Sequence, residues 1–351
     1  MCKHISPPIL LLISLALLAL NFGCGGGAEV TSNAAPAPTP DVSTAKRMQP
    51  PVLGFVYAAG GSEVRVINGI PGASTLSSPL TLPEGVTGVD FAPSQKCALV
   101  EQTNGSSVGL ITFSGANPGP LTQIAGGISK PDVVSFSPQG AAAALYSASE
   151  GRLQVLAGLP DRPQVARELT NGDLPEAVHL LAIADDGVTL LEGTVNNAVY
   201  LLAGSGAQLL ESVADLGGIA FTPQSNDALV FDRSSGTLSL MQGVSSTRSQ
   251  RLLASGLTGL TGNIELEADG VRAIITSSAT SQLWEIDLQS LAVQNLQLPA
   301  TPAMLEPLRV SGHYLLSWQP GQPAWILNTN QEKGAVYFVP AAVQAQAALA
   351  Q

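Results

Sequence analysis

Val89-Asp90-Phe91-Ala92-Pro93-Ser94, Val134-Ser135-Phe136-Ser137-Pro138-Gln139 and Ile219-Ala220-Phe221-Thr222-Pro223-Gln224 are one phrase written three times. Each is a short apolar run with a small or polar residue inside it, stopped by a Pro-containing turn, which is the signature of a strand with a buried side. Looser copies are Leu181-Ala182-Ile183-Ala184-Asp185-Asp186-Gly187 and Ile264-Glu265-Leu266-Glu267-Ala268-Asp269-Gly270, with a degenerate one at Leu308-Arg309-Val310-Ser311-Gly312. Taking Phe91, Phe136, Ile183, Phe221, Leu266 and Val310 as equivalent gives spacings of 45, 47, 38, 45 and 44 residues. A repeat of that length predicts the blades of a β-propeller.

Each anchor phrase is followed by a hairpin, as in Ala144-Leu145-Tyr146, a turn at Ser149-Glu150-Gly151, and Leu153-Gln154-Val155-Leu156. A further hairpin precedes all the anchors: Phe55-Val56-Tyr57, a turn at Gly60-Gly61-Ser62, and Val64-Arg65-Val66-Ile67. Seven hairpins and six anchors predict an all-β fold, a single propeller of about seven four-stranded blades over residues 53–340. The first blade lacks an innermost strand in chain order, and a terminal segment, 44–53 or the Ala/Gln-rich tail 341–351, is expected to close the ring. Composition agrees: charged residues are 12% of the chain, with 36 Gly and 25 Pro, which suits many short strands and tight turns. The phrases resemble the WD40-like and YVTN-type propellers of bacterial envelope and secreted proteins, although no Gly-His or Trp-Asp signature recurs.

The N-terminus reads as an address. Lys3, the apolar run Ile9 to Leu20, and Asn21-Phe22-Gly23-Cys24 have the order of a signal peptide over residues 1–23. Cys24 after a small residue resembles the lipobox of bacterial lipoproteins, and that resemblance implies a diacylated Cys24 as the new N-terminus. Residues 24–52, with Ala-Pro-Ala-Pro-Thr-Pro at 35–40, read as a disordered tether. The expected location is therefore across the inner membrane, in the envelope, as an outer-membrane lipoprotein or in the periplasm. Of the three cysteines, only Cys97 remains in the head, and a buried, inert thiol is its expected state.

Acidic residues outnumber basic ones by 26 to 15, and the chain without Lys3 carries about −12, so a nucleic-acid partner is not expected. His179 and His313 stand in different repeats and make no zinc spacing, and no calcium-loop pattern surrounds Asp185-Asp186-Gly187 or Asp269-Gly270, which read as turns. The one Gly-x-Ser-x-Gly match, at Gly105-Ser106-Ser107-Val108-Gly109, falls in a hairpin turn instead of between a strand and a helix. No catalytic, metal or cofactor residue is assigned. The expectation is a monomeric, non-catalytic scaffold, held to the membrane by its lipid, that binds an unidentified protein or polysaccharide. Trp318, beside a Pro-rich loop, is the candidate partner-binding residue, whereas Trp325 and Trp284 are assigned to packing between blades. The alternative is a hydrolase or lactonase-like propeller, which requires carboxylates converging at one mouth of the channel.

Overall fold

The computed structural model describes residues 50–341, apart from 59–60, 104, 205, 260–263 and 332–333. Among these residues the chain is all-β, in seven antiparallel sheets that follow one another along the sequence as the blades of a propeller. Six sheets have four strands and one has three. In blades 2 to 7 the strands run from inner to outer in chain order; the inner ones are Val86–Phe91, Val133–Phe136, Val178–Ile183, Leu216–Phe221, Ile264–Leu266 and Glu306–Pro307. Second strands are buried on both faces and so read as continuous apolar runs, as in Ala142–Ser147. Outer strands such as Gln164–Thr170 alternate between exposed and half-buried residues because one face meets solvent.

The turn after each inner strand closes the same way. The first residue beyond the strand receives its partner from five positions on: the N–H of Ala92 donates to the carbonyl of Cys97, Ser137 to Ala142, Ala184 to Thr189, Thr222 to Asp227, Glu267 to Arg272 and Leu308 to His313. The last bond corrects the repeat. Pro307, not Val310, is the equivalent of Phe91, because the inner strand of blade 7 is only Glu306–Pro307 and proline stands there in place of the apolar anchor. Leu308-Arg309-Val310 imitates the phrase three residues too late.

Seven apolar clusters among the described residues hold the ring, each between two neighbouring blades. Between blades 1 and 2, Phe55 lies 5.2 Å from Phe91 and 4.7 Å from Phe113, ring centre to ring centre. Between blades 7 and 1, Leu53, Val56 and Ile67 pack on Leu315, Trp318 and Ile326, so the ring closes by side-chain packing. Trp318 is therefore not a surface residue: it is 3% exposed in that closing core, and the expectation that it meets a partner is corrected. Trp284 fills the space between blades 5 and 6, and Trp325 that between 6 and 7, edge-on to Phe338 at 5.5 Å. Cys97 is buried between blades 2 and 3, where burial and then the charge of Asp161 push its thiol up to about 11, leaving it protonated and inert.

Blade 1 consists of Val52–Tyr57, Val64–Ile70 and Ala73–Leu76, which correspond to the second, third and outer strands of the other blades. Its first strand begins inside the segment read as tether. Among the described residues no innermost strand joins it; Cys24, residues 25–49 of the tether and the tail 342–351 lie outside them. The free edge is instead met by a side chain. The amide of Gln95 accepts the Phe55 N–H at 2.8 Å and donates to the Phe55 carbonyl at 3.1 Å, reproducing both bonds of a neighbouring strand, and it also accepts the Arg309 N–H at 3.1 Å. Gln95 stands where blades 3, 4 and 6 have Gly140, Gly187 and Gly270, and it keeps their left-handed backbone, with φ of 49°. Gly54 makes room, since a Cβ there would lie 2.7 Å from the Gln95 Oε1. Gln95→Ala is expected to cost about 2–4 kcal/mol, because it strands two buried backbone groups. An unchanged urea midpoint would show that the clamp carries no stability.

The inter-blade cores also enclose acids. Glu267 is buried but paired with Arg272 at 2.6 Å. Glu192 is fully buried in blade 4 and neither of its carboxylate oxygens has a hydrogen-bond partner. The cross-strand register puts it where other blades carry Val100, Leu145, Val230 and Ile275.

Candidate active site in the channel

The inner strands surround a cavity of about 910 Å³. On the strand of blade 2, Val89 and Phe91 turn into the core shared with blade 1, so the two-residue alternation leaves Asp90 on the other side, at the cavity wall. The register carries the same position around the ring as Asp90, Ser135, Ala182, Ala220, Glu265 and Glu306. All six border the cavity.

The three acids are not spread evenly. They come from blades 2, 6 and 7, which with blade 1 form one continuous arc, while Ser135, Ala182 and Ala220 of blades 3 to 5 give the opposite arc small side chains. Blade 1, which has no inner strand among the described residues, presents Tyr57 of its second strand to the lumen, where its hydroxyl acts on the Glu306 carboxyl.

The electrostatics separate the three acids. Burial, and then the charge of Glu101, raise Asp90 to about 6. Burial and the charge of Asp90 raise Glu306 to about 7, against the lowering effect of the Tyr57 hydroxyl. Glu265 is raised well above the usual carboxylate range, by burial and then by the charge of Glu306. Tyr57 is raised well above its ordinary value by burial and then by Glu306 and Asp90, so it remains a hydroxyl donor. A gradient of protonation across neighbouring acids is the arrangement from which acid–base catalysis is built.

The other motifs have structural roles. Asp186 accepts the N–H groups of Val188 and Thr189 at 2.8 Å within its turn, and Asp269 accepts that of Val271 at 2.9 Å. Asp185 reaches both neighbouring blades, accepting the Gln139 N–H at 2.8 Å and the Gln224 N–H at 2.9 Å. His179 is exposed and does not border the cavity; His313 is buried beside it, with Nδ1 3.0 Å from the Ser311 carbonyl. Ser107 donates to Gln123 at 3.2 Å in its turn. Among the described residues no group of three or more His, Cys, Asp and Glu is arranged to hold a metal ion.

Neither known family models nor curated proteins match the sequence. Solved structures do match in fold. A periplasmic gluconolactonase of Pseudomonas aeruginosa has a TM-score of 0.57 at 17% identity, covering 84% of this chain and 97% of its own. A protein from Lactobacillus plantarum gives 0.56 at 12%, covering 84% and 97%. A candidate 6-phosphogluconolactonase of Bacteroides fragilis gives 0.54 at 13%, covering 85% and 96%. The expectation of a protein without catalytic function is overturned: lactonases stand among the structural neighbours, and the channel carries the converging carboxylates that the alternative required. At these identities the likeness is one of fold, and the chain is a seven-bladed β-propeller built like these proteins over most of its length.

Proposed function

We propose that the protein is a hydrolase that opens a lactone in its central channel. The observation that carries this reading is the convergence of Asp90, Glu265 and Glu306, with Tyr57, at one level of one arc. Asp90 has the lowest of the three shifted values, so it is the carboxylate at neutral pH and serves as general base on water. Water attacks the lactone carbonyl carbon as Asp90 takes its proton. Glu265, held protonated, gives a proton to the ring oxygen as the acyl C–O bond breaks, and the product is a hydroxy acid. Glu306 and Tyr57, beside these groups on the same arc, orient the carbonyl. The neighbours named as lactonases support the reaction class. The test is titrimetric: acid release from glucono-δ-lactone at constant pH should exceed the buffer rate in proportion to protein added, and acid release at the buffer rate for this and for γ-lactones would remove the reading.

We propose further that the enzyme is exported and anchored through Cys24, on the strength of the N-terminal sequence. Intact mass spectrometry of the membrane fraction should find a chain beginning at a diacylated Cys24, and the increment should vanish in Cys24→Ala. An unmodified soluble chain would overturn the anchor.

A further inference from the structure

The channel wall also bears on which molecules enter it. Resting on the hydrolase reading, we infer that the channel takes an uncharged polyhydroxylated ring, and that Asp90 and Glu306 exclude rings bearing a phosphate. Three acids and a phenol line one arc, facing Ser135, Ala182 and Ala220. Carboxyl groups in different states of protonation supply both hydrogen-bond acceptors and donors at one level, which is what the hydroxyls of a sugar ring need. A phosphate in the same space meets like charge from Asp90 and Glu306, of blades 2 and 7, in a partly desolvated lumen.

Among the described residues two cations border the cavity, Arg309 and Lys96, and the first is engaged while the second is screened. Arg309 borders the cavity, but its guanidinium is engaged, donating to the Gly115 carbonyl of blade 2 at 2.7 Å. Lys96 lies at the mouth, exposed to solvent, where its charge is screened. The small opposite arc leaves space for a ring without adding charge.

Binding of stable rings separates this inference from the reaction. In calorimetric titrations of the full-length protein at pH 7.5, glucose is expected to bind, and glucose 6-phosphate to bind at least about tenfold more weakly. In Glu306→Gln and in Asp90→Asn the gap should narrow by about threefold to tenfold. Equal or tighter binding of glucose 6-phosphate by the wild type, or no binding of either at millimolar concentration, would overturn the inference. The lactone titration decides the hydrolase reading independently. Glucose selectivity without lactone hydrolysis would uphold the charge rule for the site and remove the reaction, whereas hydrolysis with a preference for the phosphorylated ring would do the reverse.

Discussion

Asp90→Asn is expected to lower kcat for lactone hydrolysis by about a thousandfold, with a much smaller change in KM. The amide keeps the shape of the side chain and its place beside the cavity but has no basic oxygen to receive the water proton. The pH profile is the sharper readout. In the wild type, activity should rise through about pH 6 as Asp90 ionises. It should fall again where Glu265 loses its proton, well above the usual carboxylate range. The limb near pH 6 should vanish in Asp90→Asn and the high-pH limb should remain. A variant that keeps activity within twofold, or that keeps the rising limb unchanged, would exclude Asp90 as the base.

Glu192→Val is expected to stabilise the protein by about 3 kcal/mol at pH 8, a gain that shrinks to almost nothing at pH 4. Burial, and then the charge of Glu176, raise the folded value of Glu192 from 4.5 to about 7. Below the unfolded value both states hold the proton and there is no penalty. Between the two values the unfolded chain ionises first, so stability falls as pH rises, and above about 7 the full penalty remains. Its size follows from the shift at about 1.4 kcal/mol per unit. Valine is the residue that blade 2 carries at this register, as Val100. Urea unfolding of Glu192→Val and Glu192→Gln at both pH values checks this. A gain equal at pH 4 and 8 would assign the effect to packing, and no gain at pH 8 would mean that the buried carboxyl is not destabilising.

The fold was legible because blades repeat, and a repeat announces itself in Phe91, Phe136 and Phe221 before any contact is known. Blade 7 was misaligned by three residues because Leu308-Arg309-Val310 satisfies the apolar-polar-apolar rule while Glu306–Pro307 does not. That slip hid the site. Asp90 and Glu265 both stand inside the quoted phrases at the same repeat position, but Glu306 joins them only once the Leu308 to His313 bond fixes the register. Tyr57 left no sequence signal, since it faces the lumen only because no inner strand covers blade 1 among the described residues. Trp318 looked exposed because its loop is rich in proline, and only the packing of blade 7 on blade 1 buries it. Gln95 was readable in principle: it occupies a glycine position of the repeat, and a bulky residue kept in a left-handed turn signals a side chain with a task.

A ring that repeated one blade seven times would set equal charges at equal angles, and their sideways pulls would cancel on the axis. By placing acids on blades 2, 6 and 7 and small residues on blades 3 to 5, this chain breaks that cancellation. The lumen acquires a transverse polarity, so a molecule drawn into it feels a compass as well as a confining wall and is turned with respect to the acidic arc.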